Sequence, residues 1–241
     1  MSYYFNKLAL FDVDKTLVRV SKGHSTAFSV AFKIVYGIDA KIDEINHHGM
    51  TDQQVIIEVL KNHEVEEQTI KRNLKKCMKV IIDSYNKIIK NDEVIALDGV
   101  RESLNELSKS NVLLGLVTGN LEPIAMNKLK KANLDHYFRV GGFGTDDIER
   151  ANLVKLAIKR AIENFGFKFY NNVSLFGDTP QDVQAGRKAG IKTIGVATGI
   201  YSKEQLESAG ADFVLEDLKD KNAVLEIVLS TKTSERTLTN S

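Results

Sequence analysis

Apolar residues along this chain follow two different spacings. The run Leu8-Ala9-Leu10-Phe11 is wholly apolar and ends abruptly at Asp12-Val13-Asp14. So short a run with no polar face predicts a strand over 7–11 buried on both sides. After Leu17 the spacing becomes helical. Ala27, Phe28, Ala31, Phe32 and Val35 share one face before Gly37. Val55, Ile56, Val59 and Leu60 follow a capping-box pattern that opens at Thr51. Between 66 and 90, Ile70, Leu74, Cys77, Met78, Ile81, Ile82, Tyr85, Ile88 and Ile89 recur at steps of three and four, one apolar stripe on a long helix. The stretch 19–90 therefore reads as all helical, with Cys77 an ordinary core residue on the stripe.

From Leu97 onward strand and helix alternate. Helices are predicted over 100–108, 121–131, 150–164, 181–189, 203–208 and 223–229, and strands over 112–117, 138–143, 173–176, 193–196 and 212–215. Such alternation implies right-handed βαβ units and a mostly parallel sheet. The expected fold class is α/β: a Rossmann-like parallel core with helices on both faces, interrupted by an α-helical insert. The boundaries are 1–18 and 93–229 for the core, 19–92 for the insert, and 230–241 for a polar, aperiodic tail.

Composition narrows the function classes. With 33 basic and 32 acidic residues, net +1, charge offers no warrant for nucleic-acid or anionic-membrane binding. A single cysteine excludes an internal disulfide and a thiolate metal cage. No apolar stretch reaches the roughly 18–20 residues a membrane helix needs. Met1-Ser2-Tyr3-Tyr4 does not resemble a secretory leader, so a cytoplasmic protein with no membrane partner is expected.

Candidate chemistry collects where strands end, the usual ligand edge of open α/β sheets. Two carboxylates one residue apart repel, so Asp12 and Asp14 call for a cation, a shared proton or both. Thr118-Gly119-Asn120 follows a strand and opens a helix, offering a hydroxyl and free amides to an anion. In Gly177-Asp178-Thr179-Pro180-Gln181-Asp182, Thr179 reads as a helix cap and Pro180 as the first helical residue. That leaves Asp178 without a capping role, another carboxylate at a strand end. Arg150 opens a helix, where a cation opposes the dipole unless an anion lies nearby. Lys155 on the same helix is the other candidate cation. A surface arginine is the plain alternative.

Asp12-x-Asp14-x-Thr16, Thr118 after a strand, a basic residue opening a later helix and Gly177-Asp178-x-x-x-Asp182 resemble, in order, the four motifs of haloacid dehalogenase-like hydrolases. The match spans about 7–215. The insert resembles the helical cap of the phosphoglycolate phosphatase-like branch, His48-Gly49-Met50-Thr51-Asp52 a loop of that cap, and Leu97-Asp98-Gly99-Val100 its return to the core. The resemblance implies hydrolysis of a small phosphorylated metabolite, phosphoglycolate or sugar-phosphate-like, through an aspartyl-phosphate. Asp12 would be the nucleophile and Asp14 the acid and base. Mg2+ would be held by Asp12, the Asp14 backbone carbonyl and Asp178, with Asp182 orienting that shell. Thr118, the amides of Gly119 and Asn120, and Arg150 would hold the phosphoryl oxygens.

Two departures stand out: Lys15 where the family commonly has glycine, and Arg150 in place of the commoner lysine. The rivals are a β-phosphoglucomutase-like mutase, which differs in the cap, and a catalytically silent Mg2+ or phosphate-binding module. A metal-free dehalogenase would need neither Asp14 nor the acidic fourth motif. Substrate choice is expected of loop 46–51, where Gly49 permits close backbone approach. His47 and His48 lie in that loop and read as surface or capping residues, with a place at the insert's entrance the alternative.

Overall fold

The computed structural model describes residues 5–20, 23–91 and 93–230. Its strands are β1 (Lys7–Phe11), β2 (Val18–Val20), β3 (Val94–Ala96), β4 (Val112–Thr118), β5 (Val140–Phe143), β6 (Val173–Gly177), β7 (Lys192–Val196) and β8 (Phe213–Leu215). Its α-helices are α1 (Gly23–Tyr36), α2 (Asp52–Asn62), α3 (Glu67–Ile88), α4 (Val100–Lys109), α5 (Glu122–Lys131), α6 (Arg150–Phe165), α7 (Pro180–Lys188), α8 (Lys203–Ser208) and α9 (Lys221–Leu229). Six strands make one parallel sheet in the order β5-β4-β1-β6-β7-β8. The α/β expectation holds.

Chain order reverses direction at β1. From there the sheet grows through β4 and β5 on one side and through β6, β7 and β8 on the other. In open α/β sheets a crevice forms at the carboxyl ends of strands where the order switches, which here is the end of β1. The pleat explains why β1 is apolar throughout. Leu8 and Leu10 join a core cluster with Leu153, Val154 and Ala157 of α6. Ala9 and Phe11 face the other way, into a larger cluster with α4, α5, α9 and the helices α1–α3. Phe11 also stacks on Phe176 of β6, ring centroids 4.6 Å apart. Truncating a fully buried phenylalanine of this kind costs about 3–5 kcal/mol.

Local signals set the helix ends. Thr51 accepts from the Gln54 amide while Gln54 Oε1 accepts from the Thr51 amide at 3.0 Å, and α1 gives way at Gly37 with φ +74°. On α3, Ile70, Cys77, Ile81 and Tyr85 are buried as the stripe requires.

The insert is not wholly helical. Val18–Val20 and Val94–Ala96 pair antiparallel, Val18 opposite Ala96 and Val20 opposite Val94, and the Leu97 amide donates to the Leu17 carbonyl at 3.0 Å. Two three-residue runs are too short to show a period, and they become strands only by meeting across the whole insert. Both connections to the core are thereby tied in one ribbon. Among the described residues no helix is long and apolar enough to cross a membrane. The tail expected over 230–241 lies outside the described residues from 231 on.

Candidate active site

Asp12 continues straight off β1, its amide bonded to the Phe176 carbonyl of β6 at 2.9 Å. That backbone tie carries its carboxylate to the sheet edge in a buried position. Asp178 follows β6, and Asp182 lies in the first turn of α7. One oxygen from each of Asp12, Asp178 and Asp182 lies within 4.8 Å of the others. Arg150, the first residue of α6, reaches into this cluster. Its Nη2 is 3.2 Å from Asp12 Oδ1 and its Nη1 donates to Asp182 Oδ1. The remaining oxygen of Asp182 accepts from the Thr179 amide at 3.1 Å and the Thr179 hydroxyl at 2.6 Å. Asp182 therefore holds Arg150 and closes the cap of α7 at once.

Crowding shows in the acidities. Burial, against the pull of Arg150 and with Asp182 and Asp178 adding to it, lifts Asp12 well above the carboxylate range. Burial and Asp182 lift Asp178 to about 7. Burial works against the Arg150 charge, but Asp182, Asp12 and Asp178 outweigh it and hold the guanidinium further up. Three carboxylates and one guanidinium leave two negative charges when fully ionised, the complement of a divalent cation. The donors are hard oxygens, the set Mg2+ prefers, so the residues present fit that ion.

Asp14 stands apart from this cluster. Its two oxygens lie 2.9 and 2.6 Å from Lys128 Nζ of α5, and Asn120 Nδ2 donates to Oδ2 at 2.9 Å. Burial would raise its pKa, yet Lys128, His24 and Asn120 outweigh burial and draw it below the usual value. Within one short loop, Asp12 is thus made hard to ionise and Asp14 easy. Lys15 adopts φ +63°, a left-handed conformation that disfavours a side chain. It holds the turn through its amide to the Val18 carbonyl at 2.8 Å.

Thr118 is fully buried at the end of β4. The expectation that the Asn120 amide would serve phosphate meets a different arrangement, since that amide donates to Thr118 Oγ1 at 3.3 Å and the Asn120 side chain bridges Asp14 and Lys128. Gly119 packs under the insert, its carbonyl accepting from the Asp52 amide at 2.8 Å. Lys155 lies on the exposed side of α6, away from the carboxylates that Arg150 engages.

The insert closes over this edge. Asp52 Oδ2 accepts from the Leu121 amide at 2.8 Å, Thr51 Oγ1 donates to the Ile148 carbonyl at 3.0 Å, and Gln53 Nε2 to the Gly144 carbonyl at 2.6 Å. Gly49 (φ +77°) lies so close to Gln181 of α7 that a Cβ would fall 2.6 Å from its amide carbon. Between insert and sheet lies a cavity of about 510 Å3 whose walls include Asp12, Asp14, Asp178, Arg150 and Gly49. Lys15, Arg19, His47 and His48 line the same cavity, as do Asp43 and Asp52. Burial, then Lys15 and His47, draw His48 below the ordinary imidazole range.

Sequence reasoning missed Lys128, His24 and Asp52. Lys128 had a signal, because it falls in phase with Leu121, Ile124 and Ala125 on the apolar face of α5. Asp52 read as part of a helix cap, and nothing local marked its reach to Leu121.

A parallel sheet with carboxylates at its switch point, a cation among them and an insert packed over them makes a site of the kind open α/β enzymes use. Over residues 9–196 the chain matches the haloacid dehalogenase-like hydrolases, and it belongs to that family. The phosphatase-type hydrolase expected from the motifs holds with it. "Pyrophosphatase PpaX" of Listeria monocytogenes is 26% identical over 218 residues, covering 90% of this chain and 94% of the relative. A hydrolase from Pseudomonas syringae superposes with a TM-score of 0.70 at 22% identity, covering 93% of this chain and all of that one. CbbY from Rhodobacter sphaeroides, solved in complex with phosphate, gives 0.69 at 17% identity, with 92% and 99% covered.

Proposed function

We propose that the chain is a magnesium-dependent phosphatase that hydrolyses a small phosphorylated metabolite through an aspartyl-phosphate on Asp12, with residues 19–92 as the cap over the site. The observation that carries this reading is the division within one loop. Asp12 sits among carboxylates and a guanidinium, while Asp14, two residues on, is paired with its own cation. A divalent cation among Asp12, Asp178 and Asp182 would offset that crowding and leave Asp12 an anion able to attack, while Asp14 lies outside the cluster, open to proton exchange at the cavity.

Asp12 attacks phosphorus as the bond to the leaving oxygen breaks, and Asp14 supplies that oxygen's proton. Water then attacks the aspartyl-phosphate, Asp14 takes its proton, and phosphate leaves with Asp12 restored. Asp12 and Asp178 would hold Mg2+, with Asp182 setting their orientation through Arg150 and Thr179. The ion, when bound, supplies charge neutralisation for the phosphoryl oxygens. Arg150 holds Asp12 in line, and the closed insert keeps bulk water out.

The cavity lies within the size range of small-molecule sites, and Lys15 and Arg19 in its lining could meet a substrate whose remainder is also anionic. Pyrophosphate and phosphoglycolate meet that description better than a neutral sugar phosphate. The test is a screen of phosphorylated compounds for phosphate release, with Mg2+ and after EDTA. Turnover with Mg2+ and none in EDTA is expected, doubly anionic substrates leading. Undiminished release in EDTA would overturn the metal assignment, and isomerised sugar phosphate without free phosphate would make the chain a mutase.

A further inference from the structure

Lys128 has no exposed side-chain surface, and a lysine that deep is rare unless it is paired. It shares the inner face of α5 with Ile124, Ala125 and Leu129, where an apolar residue of similar size would pack well. Replacing a buried ion pair by apolar groups is often neutral for stability. The partner, Asp14, keeps 27% of its side chain exposed, so water is at hand to solvate it. Asp14 therefore needs its partner less than Lys128 does to avoid an unsatisfied charge. What the pair does provide is a fixed direction.

The geometry around the ammonium is closed on all sides. Nζ donates to both Asp14 oxygens and to Asn120 Oδ1, and Asn120 Nδ2 donates back to Asp14, so three side chains form a ring. His24 Nδ1 of α1 lies 3.4 Å from the same Nζ. The ring of Tyr85 of α3 has its centroid 5.8 Å away. Two of these neighbours come from the insert and two from the sheet edge. The His24 ring continues outward, its Nε2 lying 3.4 Å from Asp52 Oδ2, the carboxylate that holds the Leu121 amide. Lys128 is absent from the cavity wall that Asp14 and Asn120 help to form.

We infer that Lys128 is a positioning residue: it never touches substrate, but it fixes the direction in which Asp14 presents its carboxyl to the leaving oxygen and to the hydrolytic water. The inference rests on the phosphatase reading above and deepens it. With Lys128 removed, Asp14 keeps its place in the chain and the Asn120 hydrogen bond to Oδ2, but Oδ1 loses the ammonium that fixes the carboxyl's direction. Proton transfer then suffers while attack by Asp12 does not.

Leaving-group dependence separates this role from a merely structural one. An alkyl phosphate needs its leaving oxygen protonated, whereas 2,4-dinitrophenolate leaves without a proton. The quantity to compare is kcat/KM with Mg2+, which reports events up to the first irreversible transfer. Lys128→Met should lower kcat/KM for an alkyl phosphate such as glycerol phosphate by about 10–100-fold, part of the roughly 10²–10⁴ that general acid–base catalysis supplies. For 2,4-dinitrophenyl phosphate the same variant should lose no more than about threefold. In an Asp14→Asn background the added Lys128→Met should cost nothing further on either ester. That double variant removes both charges together and keeps the test open if the single variant does not fold. Equal losses on both esters, or a further loss in the Asp14→Asn background, would overturn the assignment of Lys128 alone. A wild-type enzyme inert to both esters would overturn the phosphatase reading, and this inference with it.

Discussion

Lys128 and Lys192 are buried near opposite ends of the same parallel sheet, and they are satisfied in different ways. Lys192 opens β7 at the amino end of its strand. Its ammonium donates to the Ser230 carbonyl at 2.7 Å, the Ser230 hydroxyl at 2.9 Å and the Ile227 carbonyl, oxygens at the close of α9. A cation there meets the negative end of the helix dipole as well as its free carbonyls. Lys128, near the carboxyl ends, meets a carboxylate that also faces a cavity. Main-chain oxygens answer the charge at the amino end. Near the carboxyl ends one cation is matched to one carboxylate, and the neighbouring cluster keeps an excess of negative charge. The first arrangement serves the fold, and the second is the one to which the phosphatase reading assigns a reaction.

The comparison breaks most sharply at Asp12. Asp12→Asn should abolish the covalent phosphoenzyme and lower turnover by more than about 10³-fold, because an amide is a poor nucleophile. Its melting temperature should stay level or rise, since one of the crowded carboxylates loses its charge. Labelling with radioactive phosphate and a thermal melt read the two halves, and a labelled Asp12→Asn protein would sink the assignment. Next comes the opposite case. Lys192→Met should leave turnover with Mg2+ unchanged while costing about 2–3 kcal/mol of stability, as buried carbonyls lose a charged donor. A shifted urea midpoint with normal activity is the expected signature, and lost activity at an unchanged midpoint would contradict it.

Asp52→Ala should have a smaller effect, spread over both properties. It frees the Leu121 amide and loosens the insert, costing about 1–2 kcal/mol and raising hydrogen exchange over 46–53. Exchange no faster than in the wild type would show that Asp52 does not latch the insert. The least effect is expected at Cys77, inside the insert. Burial pushes its thiol up to about 12, so the native protein should resist a thiol reagent at pH 8 and react only when unfolded. The folded form keeps its proton longer than the unfolded one. That small contribution to stability is present below the unfolded value near 9 and is lost as pH rises towards 12. Labelling of the native protein at pH 8 would mean that α3 opens.

Much of the fold was legible because its signals are local. A wholly apolar run ending in two aspartates marks β1. Thr51 and Thr179 announce α2 and α7 by capping patterns contained within four residues, and the alternation after Leu97 prescribes a parallel sheet. The part expected of Gly49 in substrate choice shows where such reading ends. Gly49 does permit close approach, as expected, but the surface approached is Gln181 of the core. A bulky residue there would be strained at φ +77° and would meet the Gln181 side chain first.

The sequence by itself determined the helices and the strands of the parallel sheet, and that Asp12, Asp14, Asp178 and Asp182 lie near strand ends, because period, caps and strand termini are relations between near neighbours. Tertiary structure alone decided the partners. Lys128 reaches Asp14 across 114 residues, Arg150 reaches Asp12 across 138, and Asp52 reaches Leu121 across 69. Val18–Val20 becomes a strand only opposite Val94–Ala96. A lysine's charge and an aspartate's charge are visible in a sequence. Whether they meet depends on where the chain returns, and with it whether a carboxylate is held as an anion, as Asp14 is, or crowded towards its protonated form, as Asp12 is.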